Sequence, residues 1–191
     1  MPHPPLVLAS SSPRRLMLLA QLGITPARVL SPDIDESPLP RELPRPYAQR
    51  MARLKAATVR EPASLVLAGD TVVAVGRRIL PKAETEAEAR ACLALLSGRR
   101  HRVLTAIALT SPDGRMLERL SESVVTFNRV TTAQADTYIA SGEWRGKAGG
   151  YAINGVAASF VRFLSGSYSG VVGLPLFETA QLLRGCGWDV P

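Results

Sequence analysis

Ser10-Ser11-Ser12-Pro13-Arg14-Arg15 joins a short apolar run, Leu6-Val7-Leu8-Ala9, to Leu16-Met17-Leu18-Leu19-Ala20-Gln21-Leu22-Gly23. The first run reads as a buried strand and the last stretch as a helix. Ser12 suits the N-cap, Pro13 the first helical position and Gly23 the C-terminal stop. The charge is the anomaly. A helix N-terminus favours Asp or Glu, so each arginine in the first turn costs about 0.3–1 kcal/mol if unscreened. Cations kept there point to an anion. Free backbone N–H groups, the hydroxyls of Ser10 to Ser12 and two guanidinium forks together make a phosphate cradle. The plain alternative is two solvated arginines on a surface helix.

Working outward, strands and helices alternate without a repeat. Ser31-Pro32-Asp33-Ile34-Asp35-Glu36-Ser37-Pro38 is an acidic loop. Tyr47, Met51 and Leu54 recur at helical spacing, which predicts a helix over Tyr47–Val59 with Lys55 favourably placed near its C-terminal dipole. Leu65 to Val75 is a continuous apolar run broken by one carboxylate, Asp70, and reads as a central strand. Gly76-Arg77-Arg78 turns it into a return strand, Ile79-Leu80-Pro81-Lys82. Thr85-Glu86-Ala87-Glu88 is a capping box that opens a helix running to Ser97-Gly98. Val103–Leu109, Glu122–Phe127 and Ser159–Leu164 read as further strands. Thr131–Ile139 and Pro175–Leu183 read as helices, and the Gly-rich segment 142–155 as a site loop. The mixture, with a hairpin beside Asp70, predicts one α/β domain over residues 1–191 with a mixed sheet.

Composition narrows the partners. The chain has 191 residues, is 46% hydrophobic and carries a net charge of +7, so anions are the natural ligands. Its basic residues are scattered, and only 5% of residues are aromatic, which argues against a dedicated nucleic-acid binder. Twenty of the 23 basic residues are arginine; the three lysines are Lys55, Lys82 and Lys147. Against such a bias, a retained lysine marks a place where a compact ammonium is needed. No apolar run reaches the roughly 18 residues of a membrane span, and the start lacks a leader pattern. Cys92 and Cys186 read as inert buried thiols in a reducing cytoplasm.

Asp70 is the leading catalytic candidate. A carboxylate inside an apolar strand is costly unless paired, metal-bound or used. It could act as general base for a water, ligate Mg²⁺ or Mn²⁺, or pair structurally with an arginine. Asp33, Asp35 and Glu36 offer hard oxygen ligands, and Glu36 is the preferred member. Lys82, Lys147 among glycines, Arg14 and Arg15 would together neutralise a triphosphate. His101, after Arg99-Arg100, reads as a surface histidine. Walker, zinc and Ser-His-Asp patterns are absent from the sequence.

Taken in order, Leu8–Arg15, Asp33–Glu36, Arg53–Ala56, Ala68–Val73, Ile79–Lys82, Leu96–Val103, Lys147–Gly155 and Gly166–Pro175 make the chain resemble the Maf family of nucleoside triphosphate pyrophosphatases. The resemblance covers nearly the whole length. It implies a two-lobed fold of the Maf/ITPase-like kind with a deep nucleotide-binding cleft, a divalent cation (Mg or Mn), a cytoplasmic location and a homodimer. It implies Asp70 as the catalytic acidic residue and a metal ligand, with Glu36 assisting the metal. Ser10, Arg14, Arg15, Lys55, Thr71, Lys82, Lys147 and Asn154 would form the substrate shell. Arg14 after Pro13 and Thr71 after Asp70 look like the branch acting on dTTP and UTP. Three positions depart from the family pattern: Asn154 stands where that branch usually has Gln, Gly146 where Asp precedes the lysine, and Pro81-Lys82-Ala83 for Gly-Lys-Pro. Two other readings stay open, a pyrophosphatase for modified nucleotides such as 7-methyl-GTP and a non-catalytic division or nucleic-acid-binding protein.

Overall fold

A computed structural model describes residues 3–191. Its nine strands, among the described residues, form a seven-stranded mixed sheet and a separate two-stranded one. The large sheet runs β2 (Arg28–Leu30), β1 (Leu6–Ala9), β3 (Leu65–Val75), β6 (Arg100–Thr110), β7 (Met116–Phe127), β9 (Val161–Ser165), with β4 (Arg78–Leu80) also on β3. β1 lies parallel to β2 and β3; β6, β7 and β9 continue antiparallel. All four β1 residues are buried, as a parallel strand covered on both faces requires. The mixed α/β expectation is met.

Each face of the sheet has its own apolar core, divided by the two-residue period of the strands. Val66, Ala68, Val72 and Ala74 of β3 pack with Tyr47, Ala48, Met51, Ala52 and Ala56 of α2 (Pro44–Thr58). Leu65, Leu67 and Val73 face the opposite way, into the larger core that also takes Leu18 and Leu19 of α1 (Pro13–Gln21). That core also includes Cys92 and Leu96 of α3 (Glu86–Leu96), Tyr138 of α4 (Thr132–Ser141) and Leu182 of α6 (Leu176–Arg184).

One detail of strand pairing makes room for a site. β6 occupies one edge of β3 from Val66 to Ala74. The other edge is shared: β1 pairs with Leu65–Ala68 and β4 with Val73–Val75. Gly69 to Val72 therefore face a gap beyond the carboxyl end of a parallel strand, the place where open α/β sheets bind ligands.

Several boundaries differ from the sequence reading. α2 starts at Pro44, since proline is well suited to a first turn, and its buried stripe is Tyr47, Ala48, Met51, Ala52, Lys55 and Ala56. Leu54 falls off that stripe and is 40% exposed. Pro81 cannot continue the hairpin, so the return strand ends at Leu80 and Lys82–Ala83 becomes β5, paired with β8 (Lys147–Ala148). The strand expected over Ser159–Leu164 begins as a 3-10 turn, Val156–Phe160, and only then becomes β9. Strand β2 and the short helix α5 (Tyr168–Val172) were not foreseen. The capping boxes at Thr85 and Thr131 are both formed.

Candidate active site

Asp70 sits in the gap on the α2 face of β3 and is 3% exposed. Lys55, four residues after Met51 on the buried stripe of α2, meets it: Nζ lies 2.7 Å from Asp70 Oδ1. The same ammonium is 2.9 Å from Glu36 Oε1, and Lys82 holds the other oxygen of Glu36. Charges thus alternate along Asp70–Lys55–Glu36–Lys82. Burial pushes the Glu36 carboxyl up, but the hydrogen bonds from Lys55 and Lys82 outweigh it and hold the group below its ordinary range. Tyr47 donates to the Glu36 carbonyl oxygen at 2.6 Å, anchoring the acidic loop to α2. Burial, with the Asp70 and Glu36 carboxylates nearby, pushes the Tyr47 phenol far up, so it stays a donor. Asp33 and Asp35 are exposed; Asp35 Oδ1 is taken by the Ser37 N–H at 2.8 Å.

Thr71 points to the opposite face, where the two arginines lie. Arg15 is buried and donates from Nε to the Gly173 carbonyl at 2.8 Å, from Nη1 to Ser10 Oγ at 3.0 Å and from Nη2 to Thr71 Oγ1 at 3.4 Å. Arg14 donates from Nε to the Val172 carbonyl at 3.3 Å. The Val172 and Gly173 carbonyls lie at the C-terminal end of α5, where they have no partner inside the helix. The charge anomaly of the first stretch is thereby explained: cations that oppose the N-terminus of α1 suit the C-terminus of α5. Ser12 is the N-cap of α1 but its side chain makes no capping bond; Ser10 Oγ accepts the Ser12 N–H at 3.1 Å instead. Burial lowers the pKa of Arg14; it also lowers that of Arg15, where the Asp70 charge partly offsets it.

The two-stranded sheet supplies the facing wall. Pairing of β5 with β8 sets Lys82 opposite Ala148 and Ala83 opposite Lys147. Gly149, at φ 66°, follows; a Cβ there would come within 2.8 Å of Val73, so only glycine lets this loop close on β3. Burial, then repulsion from Arg14, lowers the Lys147 ammonium, against the attraction of Glu84 and Glu143. A cavity of about 260 Å³ lies between these walls, and Ser10, Arg14, Arg15, Glu36, Lys55, Asp70, Thr71, Lys82, Lys147 and Asn154 all line it. Sequence reasoning missed Arg145, which also lines it. It also misplaced His101, which is 2% exposed, with Nε2 2.8 Å from the hydroxyl of the cavity residue Tyr151. Burial pulls the His101 pKa down to about 4. Cys92 is buried as expected, whereas Cys186 is half-buried; both are free thiols.

Among the described residues no cluster of three His, Cys, Asp or Glu side chains is positioned to hold a metal ion. The acidic donors facing the cavity are the carboxylates of Glu36 and Asp70. That set fits a hard cation of the Mg²⁺ or Mn²⁺ type, which binds one or two carboxylates and takes its other ligands from phosphate oxygens and water.

Comparison with known proteins places the chain in a family. A model of the family described as Maf-like protein matches residues 5–186. A "dTTP/UTP pyrophosphatase" of Granulibacter bethesdensis is 62% identical, over 96% of this chain and 94% of its own. Proteins of the same name from Gluconobacter oxydans and Caulobacter vibrioides are 65% and 61% identical, over 96% and 97% of this chain and 87% and 97% of theirs. Among solved structures, a HAM1 protein from Coxiella burnetii aligns at a TM-score of 0.49 and 18% identity, over 94% of this chain and 98% of that one. With a family model matched from residue 5 to 186 and relatives above 60% identity along nearly the full length, the chain belongs to the Maf-like protein family.

Proposed function

We propose that this protein hydrolyses nucleoside triphosphates, dTTP and UTP first among them, to the monophosphate and pyrophosphate. The observation that carries the reading is the cavity in which the buried Asp70 faces the same space as Arg14, Lys82 and Lys147. The three cations provide for a polyphosphate, and the carboxylate provides for its hydrolysis. The base preference rests on relatives that carry the name dTTP/UTP pyrophosphatase.

In the mechanism, Arg14, Lys82 and Lys147 bind the phosphate chain, and their charge stabilises the phosphoryl oxygens as negative charge shifts to the leaving group. Lys55 holds Asp70 Oδ1, which leaves Oδ2 without a hydrogen bond among the described residues. Oδ2 is therefore the atom that orients the attacking water and takes its proton. The water oxygen forms a bond to the α-phosphorus, the bond from that phosphorus to the bridging oxygen breaks, and pyrophosphate departs. Glu36 and Asp70 would hold a divalent cation, which when bound supplies charge neutralisation at the phosphates. Ser10 and Arg15 shape the floor of the cavity, and Asn154 offers its amide to the base.

We place this activity in one domain over residues 1–191, in keeping with the bond from Trp188 Nε1 to the Pro4 carbonyl at 3.2 Å that ties the two ends together. Among the described residues no helix is long and apolar enough to cross a membrane. Two free cysteines suit a reducing cytoplasm. A homodimer is our reading for the assembly, since the edge strand β9 leaves Phe163 exposed. The test of function is a pyrophosphate-release screen over dTTP, UTP, CTP, GTP, ATP and 7-methyl-GTP with Mg²⁺ or Mn²⁺. Release from dTTP and UTP is expected. Release from 7-methyl-GTP alone would overturn the base assignment, and no release from any nucleotide would overturn the activity.

A further inference from the structure

Most cations lining the cavity are already engaged by the protein. Arg14 and Arg15 bond the end of α5, Lys55 and Lys82 hold Glu36, and Lys147 Nζ donates to the Arg145 carbonyl at 2.9 Å. Arg145, which also lines the cavity, is the exception. Among the described residues its guanidinium donates no hydrogen bond and makes no ion pair. The nearby carboxylate of Glu143 is taken by the Val156 N–H at 2.8 Å. The guanidinium is nevertheless held in place. Its carbon lies 4.6 Å from the centroid of the Trp144 ring, a cation–π contact. That indole is 2% exposed, and its Nε1 donates to the Ile139 carbonyl at 2.9 Å. The turn itself is fixed by the Arg145 N–H on the Gly142 carbonyl at 3.2 Å and the Lys147 N–H on the Trp144 carbonyl at 3.1 Å. A buried shelf thus presents an exposed, unpaired cation whose ordering cost is partly met before any ligand arrives.

A guanidinium stacked through one face keeps its edges free, and an edge offers parallel N–H donors matched to two phosphate oxygens. Asp70 is buried and Arg145 is exposed, so a substrate whose α-phosphorus reaches Asp70 extends outward to meet Arg145 at the rim. From that phosphorus the substrate has two arms. The nucleoside arm is neutral, and the pyrophosphoryl arm carries most of the negative charge. An unpaired cation gains more from the charged arm, and Arg145 shares its turn with Lys147. We infer that Arg145, stacked on Trp144, is a substrate-binding residue that grips the β- and γ-phosphates at the rim of the cavity and so holds the departing pyrophosphate. The inference rests on the nucleotide pyrophosphatase reading and deepens it by assigning the grip on the leaving group.

The test measures inhibition by each product, pyrophosphate and UMP, in wild type, Arg145→Gln and Arg145→Lys. Hydrolysis is followed as labelled UMP formed from labelled UTP, with Mg²⁺ in excess over all phosphates. Glutamine removes the charge; lysine keeps the charge but not the fork. In Arg145→Gln the inhibition constant for pyrophosphate is expected to rise about tenfold or more, the order of one hydrogen bond to a charged group. The constant for UMP should stay within about twofold, and Arg145→Lys should fall between wild type and Arg145→Gln for pyrophosphate. The Arg145 side chain is exposed and unbonded, so both variants should keep the wild-type melting temperature, which is checked alongside. An unchanged pyrophosphate constant in Arg145→Gln, or an equal loss for UMP, would overturn the inference while leaving the activity intact. So would a wild type that hydrolyses UTP but is not inhibited by pyrophosphate. A folded wild type inactive on every nucleotide would overturn the activity reading and the inference together.

Discussion

Two neighbouring residues of β3, the buried Asp70 and the half-buried Thr71, have their polar groups satisfied in different ways. On the α2 face of β3, Asp70 meets an ammonium, which meets Glu36, which meets a second ammonium. On the α1 face, Thr71 meets a guanidinium and a hydroxyl, and the chain of bonds ends on helix carbonyls. A buried charge needs a countercharge and is lost if that partner goes; a buried hydroxyl needs only its proton directed. The ionic face can move a proton and neutralise phosphate. The other face adds the Arg14 cation beside hydroxyls that can only donate or accept hydrogen bonds. Period-two alternation lets one strand present both to one cavity without mixing them.

Substitutions that separate the faces sharpen this contrast. Asp70→Asn should fold, since Lys55 keeps Glu36, but lose about 10³-fold in pyrophosphate release, whereas Thr71→Val should lose about tenfold or less. Comparable losses from the two would erase the distinction. Lys55→Met leaves Asp70 buried without its countercharge and should cost about 3 kcal/mol in urea unfolding. His101 tests the hydroxyl face through Tyr151. Burial lowers its pKa from 6.5 to about 4, so between those values the unfolded chain binds the proton and the native protein does not. Stability should therefore fall as pH drops from 6.5 to 4, by up to about 3 kcal/mol, and His101→Gln should flatten that slope. Smallest is Arg15→Lys, which cannot keep the three-way fork and should lose about 2 kcal/mol of stability, read as a lower melting temperature.

Local patterns carried a good part of this arrangement. Pro13 at the start of α1, the capping boxes and the lone Asp70 in an apolar run each have a mechanism that acts within a few residues. Lys55 shows how a sufficient local reason can mislead: a cation near a helix C-terminus needs no further account, yet its spacing of four from Met51 and eight from Tyr47 puts it on the buried stripe. His101 was judged by Arg99 and Arg100 beside it. The alternation His101, Val103, Thr105, Ile107, Leu109 would have turned it inward, had the strand been read from Arg100. What no local pattern could reveal is that the partners of Arg14 and Arg15 lie 158 residues along the chain, on carbonyls whose identity leaves no mark in the sequence. The family resemblance assembled those segments where spacing could not.

The central claim is that Asp70 directs water at the α-phosphorus, and isotope transfer tests it most directly. Single-turnover hydrolysis of UTP in ¹⁸O-water should place the label in UMP and none in pyrophosphate, with Asp70→Asn forming neither product at a comparable rate. Label in pyrophosphate, or an Asp70→Asn variant as fast as wild type, would contradict the account.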